Sequence, residues 1–275
     1  MTTTRHLIDP EHPDDAESVA RMLAERLPAV PPAPDRAAAM RGRLLDRVRT
    51  SDDAQARLVG SRLDEGEWRP LVRGVRTKIL SSAHHAVLLE FEPGAHLPIH
   101  RHDEDEECVV LRGAVQMRDL HVAAGDYHLA RSATRHGAVR SDGGALLYLS
   151  GTPIGDTRGV MKALVGALVP GSGEAPLTLR AGEGHWTRLA PGVDIRALHR
   201  SGDRESSMLR FAPGATLRPP ALPGDVESLV VAGELYFGRD AAGQGDYRLA
   251  QAGHAAPELA SDEGAIVFVR GARMR

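Results

Sequence analysis

An internal repeat constrains this chain more than any other feature. RLDEGEWRPLVRGVRTKILSS at 62–82 answers LRAGEGHWTRLAPGVDIRALHRS at 179–201, and LLEFEPGAHLPIH at 88–100 answers MLRFAPGATLRPP at 208–220. VVLRGAVQM at 109–117 answers LVVAGELYF at 229–237, and AAGDYHLA at 123–130 answers GQGDYRLA at 243–250. Trp68 matches Trp186, Gly94 matches Gly214, Gly113 matches Gly233 and Gly125 matches Gly245, at an offset of 118 that becomes 120. Ordered matches at a nearly constant offset mean one fold built twice. In both copies short apolar runs alternate with Gly, Pro and Asp roughly every 8 to 12 residues, the texture of an all-β domain.

The repeat divides the chain of 275 residues. Residues 1–60 form an N-terminal helical segment with a disordered start, 61–152 a first β domain, 153–178 a linker, and 179–275 a second β domain. Within the linker, VMKALVGALV has the character of a short helix. In the first segment, Val19, Met22, Leu23 and Leu27 fall on one face of a helix from Asp14 to Leu27, which AVPPAP at 29–34 breaks. Asp35 is then a candidate N-cap for a second helix with Met40, Leu44, Leu45 and Val48 on one side. Such a pair has to pack on itself, on the rest of the chain or on a partner.

Bulk composition excludes several classes. The net charge of -3 leaves no electrostatic footprint for direct nucleic-acid binding. No apolar run of about 18 residues is present, so no membrane span is expected. The start, MTTTRHLIDPEHPDD, lacks an apolar signal core. Cys108 is the single cysteine, which rules out an internal disulfide framework and points to the reducing cytoplasm.

Chemistry concentrates in HRHDEDEEC at 100–108. A strand alternates its faces with period two, so His100 and His102 point to one side and Arg101 to the other. Glu106 keeps that parity if Asp103 to Asp105 form a turn, and Glu107 then faces outward. His136 lies 30 residues beyond Glu106, far enough for a returning strand to bring it opposite. Three imidazoles and one carboxylate inside a small barrel suit a divalent transition metal. HxH alone is a weak signal and an acidic run is usually solvated. The weight comes from Gly94, His100, His102, Glu106, Gly113, Gly125 and His136 in one ordered pattern.

That pattern resembles the cupin superfamily. Its first motif, G-x5-H-x-H-x3-E-x6-G, is met by GAHLPIHRHDEDEECVVLRG from Gly94 to Gly113, and it selects Glu106 over Glu107 as parity does. Its second motif, G-x5-P-x-G-x2-H-x3-N, is met in part: Gly125 and His136 are in place, but Arg131, Ala133 and Arg140 stand where Pro, Gly and Asn are usual. The resemblance implies a mainly β fold, two tandem cupin (double-stranded β-helix, jelly-roll) barrels after the short α-helical segment. It implies one metal held by His100, His102, Glu106 and His136. In the second copy Pro220, Leu222, Val226 and Ala256 occupy the ligand positions, with Glu227 and His254 out of step, so that barrel is expected to bind no metal and to pack on the first or cover it.

The W-x-P opening, the PGA…H-x-H-x3-EE run and the GDY tripeptide are similar to ChrR-type cupins, found on zinc-binding anti-sigma factors and as stand-alone proteins. This likeness implies Zn2+, with Fe2+, Mn2+ or Ni2+ as other candidates, and a metal-dependent sensor or transcriptional regulator with a small-molecule ligand at the metal. A sigma factor is the partner implied for the N-terminal helices, although residues 1–60 lack the cysteine of that family's zinc-binding helical domain. The alternative is an Fe(II)-dependent dioxygenase acting on a small diketone-like substrate, and a third reading is a metal-stabilised module for a sugar or other small ligand. Exposed strand edges favour a homodimer. Among other residues, Cys108 shares the parity of Glu106 and reads first as a small buried residue, and His96 reads as a barrel-mouth residue. His84, His85, His121 and His128 read as surface or strand positions, Tyr127 as a packed ring whose hydroxyl finds an acceptor, and Trp68 and Trp186 as structural.

Overall fold

The computed structural model describes residues 21, 32–101, 104–151, 174–220, 223–253 and 256–272. It divides into two units, 1–49 and 50–275. The expected helix from Asp14 to Leu27, apart from a helical Arg21, and the expected linker helix lie outside the described residues. Helix α1 spans Pro34–Ala56. Its first backbone bond runs from the Ala37 N–H to the Ala33 carbonyl, 2.8 Å. Ala33 is therefore the cap, where Asp35 was expected. Pro34 takes the first helical position, where a missing N–H costs nothing. Asp35 lies in the first turn, where its charge complements the helix dipole. Met40, Leu44, Leu45 and Val48 are 44–58% exposed. No helix among them is long and apolar enough to cross a membrane.

The second unit is β-structure. It begins with β1 (Leu58–Ser61). The first repeat gives β2 (Arg69–Val72), β3 (Val75–Ser81), β4 (Ala86–Phe91), β5 (His96–Leu97), β6 (His100–Arg101) and β7 (Glu106–Met117). It continues with β8 (Leu120–Ala123), β9 (Tyr127–Ala130), β10 (Arg135–His136), β11 (Val139–Arg140) and β12 (Ala145–Ser150). After β13 (Leu177–Leu179), the second repeat gives β14 (Thr187–Ala190), β15 (Val193–Ser201), β16 (Arg204–Phe211), β17 (Ala215–Leu217) and β18 (Val226–Gly233). Its last strands are β19 (Leu235–Phe237), β20 (Asp240–Ala242), β21 (Tyr247–Ala250), β22 (Leu259–Ser261) and β23 (Ala265–Ala272). Pairing is antiparallel throughout, and each repeat forms a jelly-roll barrel, as the resemblance implies. The front barrel's main sheet runs β13-β9-β7-β12-β4-β3-β2, and the rear barrel's runs β1-β21-β18-β23-β16-β15-β14.

One of the two edge strands of each main sheet comes from outside its own repeat. β1, ahead of the front repeat, pairs with β21 of the rear barrel, Leu58 opposite Ala250. β13, ahead of the rear repeat, pairs with β9 of the front barrel, Leu177 opposite Leu129. Sequence boundaries at 60/61 and 178/179 therefore cut through exchanged strands. The exchange covers edges that would otherwise present unpaired backbone groups.

The GDY tripeptide of each repeat fastens the exchange. Asp126 accepts the N–H of Ala181 at 2.8 Å and the guanidinium of Arg180 at 2.9 Å, just past β13. Asp246 accepts the N–H of Leu63 at 2.7 Å, just past β1. A Cβ on Gly125 would stand 2.9 Å from that of Ala181, so the glycine leaves room for the incoming chain. One cation per repeat gathers the same segments: Lys78 donates to the carbonyls of Arg62, Leu63 and Glu65, and Arg196 to those of Arg180, Ala181 and Glu183. Burial pushes the Asp126 carboxyl up, but the N–H groups of Ala123 and Ala181 and the Arg180 guanidinium outweigh it and hold it below its ordinary value. A depressed carboxylate stabilises the fold above its unfolded pKa of about 3.9, and that contribution fades as pH falls through the lower folded value. Asp126→Ala should cost about 2 kcal/mol in urea unfolding at pH 7, and the gap from wild type should close in strong acid.

Alternation along the strands builds three apolar layers. Val87, Leu89, Cys108, Val110, Leu147 and Leu149 fill the front barrel, and Leu209, Val230, Leu235, Val267 and Val269 the rear one. Leu88, Val109, Leu146 and Tyr148 face outward from the front barrel onto Met208, Leu229, Tyr247 and Phe268 of the rear barrel, with the rings of Tyr148 and Phe268 5.4 Å apart. Both faces of the central strands are thus buried. This is why AVLL at 86–89 and ALLYL at 145–149 read as unbroken apolar runs rather than as alternating ones. The rear barrel packs on the front one, the first of the two roles expected of it.

Candidate metal centre

Glu106 opens β7, directly opposite Ala130 of β9. Along that strand Cys108 and Val110 belong to the front barrel's interior, while Val109 and Leu111 belong to the layer between barrels. Period two therefore turns Glu106 inward, where it is 6% exposed, and Glu107 outward. Burial pushes the Cys108 thiol up, and the neighbouring Glu106 charge pushes it further. Cys108 is a buried core residue of the front barrel, as first read.

The two-stranded ladder of β6 and β10 sets His136 directly opposite His100 and Arg135 opposite Arg101. Directly opposed residues lie about 4.5–5.5 Å apart at Cα, so the backbone brings the two distant histidine positions side by side. The Nδ1 of His100 lies 2.9 Å from the Pro98 carbonyl. A carbonyl only accepts, so Nδ1 carries the proton and Nε2 the lone pair, the tautomer of an Nε2 metal ligand with its other nitrogen anchored. His102 and the His136 ring lie outside the described residues. The described residues by themselves hold no group of three candidate ligands. An inward carboxylate and an Nε2-presenting imidazole fit a divalent ion.

Asp105 joins the segment that carries Glu106 to the segment that leads to His136. Its Oδ1 accepts the Ser132 N–H at 2.8 Å and its Oδ2 lies 3.2 Å from Arg131 Nη1. Gly151 presses on the same point: a Cβ there would stand 2.1 Å from the Asp105 carbonyl. Ala133 has φ +58°, the left-handed region that favours glycine, which explains why glycine is usual at this motif position. Arg140, at the usual asparagine position, is exposed and paired with Asp142.

In the rear barrel Val226 stands opposite Ala250, the register of Glu106 opposite Ala130. Val226, Ser228, Phe237, Leu259 and Val269 line that interior. Pro220 and Ala256 carry no donor side chain; Leu222 and His254 lie outside the described residues.

Sequence reasoning missed a polar network between the barrels. Outward-facing Glu107 does not reach solvent: it is buried, accepts the Tyr127 hydroxyl at 2.8 Å and pairs with Arg270 at 2.9 Å. Glu227 is its counterpart at offset 120, and accepts from the hydroxyls of Tyr148 and Tyr247 at 3.3 and 3.1 Å and from Arg204 and Arg270. Burial in this layer, and the Glu107 charge, push the Tyr127 hydroxyl well up, so it stays a donor. His84, expected at the surface or on a strand, sits in the β3–β4 turn with Nε2 3.2 Å from Asp225 and Nδ1 3.5 Å from Glu227. The signal was legible: an acid recurs at 107 and 227, whereas Glu106 has no counterpart. Of the other histidines, His128 is a buried strand residue bonded to Thr178 of exchanged β13, and His96 and His121 are exposed. Trp68 and Trp186 pack on the layer between barrels, with Arg76 and Arg196 over their rings.

The folds of known structures agree with this architecture. A provisionally assigned dioxygenase from Nostoc punctiforme aligns with TM-score 0.58 at 13% identity, over 79% of this chain and 83% of its own. An oxalate decarboxylase variant from Bacillus subtilis aligns with TM-score 0.56 at 14% identity, over 77% and 76%. AerE from Microcystis aeruginosa aligns with TM-score 0.53 at 17% identity, over 75% and 96%. No curated protein sequence matches the chain significantly. The ChrR cupin-like domain matches it twice, over residues 57–154 and 174–275, one match for each repeat. The chain therefore belongs to the ChrR cupin-like domain family, with two copies of the domain in tandem.

Proposed function

We propose that the protein is a metal-dependent sensor or regulator in which one divalent transition ion, Zn2+ by the family likeness, is held in the front barrel by His100, His102, Glu106 and His136. The observation that carries this is the β6–β10 register, which sets His136 opposite His100, with an inward, buried Glu106 opening the strand that follows β6. Such an ion, when bound, supplies Lewis acidity and exchangeable coordination positions for a small-molecule ligand. The chain's own part is to fix the donors. Pro98 orients the His100 ring, and Asp105 ties the Glu106 segment to the segment leading to His136. Among its described residues the rear barrel offers no equivalent donor set. On this reading the exposed apolar stripe of α1, Met40, Leu44, Leu45 and Val48, is the surface for a sigma factor.

A second reading, an Fe(II) dioxygenase for a diketone-like substrate, is supported by the likeness to a structure assigned as a dioxygenase and by a donor set that leaves positions open on an octahedral ion. Elemental analysis of protein purified without added metal separates the two. One Zn2+ per chain, with retention of a co-expressed sigma factor that is lost on deleting residues 1–49, supports the regulator. One iron per chain with oxygen uptake on a diketone panel replaces it with the enzyme. Substoichiometric metal of every kind defeats both.

A further inference from the structure

The rear barrel touches the front-barrel segment that carries Glu106. β15 and β16 carry a bulge between Ala197 and His199, where Leu198 enters the layer between barrels. A bulge re-aims the next side chain. The His199 ring is one-tenth exposed, and its Nε2 stands 3.7 Å from Asp105 Oδ2. That nitrogen is buried and makes no hydrogen bond in the structure. Asp105 is the residue before Glu106, and it already holds the Ser132 N–H and Arg131 on the path to His136. Arg131 in turn faces Glu174 at 3.8 Å, on the segment joining the barrels.

We infer that His199 is a positioning residue for the front metal site, reaching across the barrel interface to hold Asp105 and through it the spacing of the Glu106 and His136 segments. The inference rests on the proposed metal reading. A mirror contact exists: His84 of the front barrel lies 3.2 Å from Asp225, which accepts the Ala252 N–H at 2.8 Å. There the clamp bears on a barrel with valine at the carboxylate position, so it serves as an internal comparison. A histidine from the opposite barrel thus faces the corresponding aspartate in both directions, within hydrogen-bond distance at His84 and slightly longer at His199, and on this reading only the His199 contact acts on the metal site.

The test uses the full chain, titrated with Zn2+ against a chromophoric chelator, with amide exchange of residues 131–134 followed in the metal-free protein. His199→Ala is expected to weaken Zn2+ binding about tenfold, the scale of lost outer contacts to metal ligands, with stoichiometry kept at one per chain. Exchange at Ser132 should quicken severalfold without metal. His199→Gln keeps an N–H donor and should recover both to within about threefold of wild type. His84→Ala should leave Zn2+ affinity within about twofold. Unchanged affinity in His199→Ala overturns the inference, even where exchange quickens, and so does an equal loss in His84→Ala. Should the wild type bind no Zn2+, the metal reading fails by itself. Ser132 exchange in the metal-free protein still decides whether His199 holds the loop, and unchanged exchange defeats that.

Discussion

Glu106→Ala and His100→Ala each bring bound metal to near zero while the metal-free fold survives; that is the expected result with the largest effect on binding. A protein-bound Zn2+ is worth about 10–16 kcal/mol in structural sites. Removing one donor of four then costs about 3 kcal/mol or more, a hundredfold or greater loss of affinity. Survival of the fold follows from position. His100 lies on a two-residue strand outside the main sheet, and Glu106 is the first residue of β7. The barrel interior packs through Val87, Leu89, Val110 and Leu147, which neither substitution touches. Glu106→Gln separates charge from shape, because it keeps the side chain's volume and loses the anionic donor. Metal stoichiometry by elemental analysis, beside urea unfolding of the metal-free proteins, reads both effects. One ion per chain in all three variants would refute the ligand set, and unfolding of the metal-free Glu106→Gln protein would refute the separation of site from fold.

The parity of β7 was readable because a strand with both faces buried still obeys period two. Glu106 and Cys108 on one side and Glu107 on the other follow from spacing along β7 alone. The duplication was readable because glycines at required turns cannot drift: Gly113 and Gly233, at φ +69° and +76°, each leave no room for a Cβ against the backbone of Gly144 or Gly264. The strand exchange was not readable. LVGS and LTL are short edge segments whose partners lie about 190 and 50 residues away, and nothing local distinguishes a strand that pairs at home from one that pairs abroad. The GDY motif carried the missing information in a form that needs the fold to interpret. Its Asp recurs in both copies because it meets incoming backbone, and its Tyr because a carboxylate waits on the neighbouring strand of the same barrel, Glu107 for Tyr127 and Glu227 for Tyr247. Helix α1 illustrates the reverse error. A good capping residue, Asp35, lost its place because Pro34 fits the first helical position better.

Arg270→Met should be the most destabilising single change in the protein. Arg270 Nε is 2.9 Å from Glu107, and Nη1 is 2.6 Å from Ser150 and 3.3 Å from Glu227, so one cation joins two buried carboxylates from different barrels. Burial alone would push its guanidinium down, but Glu107 and Glu227 outweigh that and hold it above its ordinary value. Methionine fills the stem's volume and leaves two carboxylates in a layer of Tyr127, Tyr148, Tyr247 and Phe268, with Arg204 reaching Glu227 only from the rim. Breaking a buried pair costs about 3–5 kcal/mol, because the stranded charge remains. That is a large share of the roughly 5–15 kcal/mol that holds a typical domain together. The loss should persist in high salt, since counterions screen a buried pair far less than an exposed one. Adding Glu107→Gln to Arg270→Met should return about 2 kcal/mol: the amide oxygen still accepts from Tyr127, and one of the two facing charges is gone. A cost under about 1 kcal/mol for Arg270→Met, or no recovery in the double variant, would mean that shape rather than charge joins the barrels. The design then makes sense of Glu107 beside Glu106. Two adjacent acids on one strand face opposite ways, one toward the candidate metal and the other toward the partner barrel, so any strain at the interface lands one residue from the site.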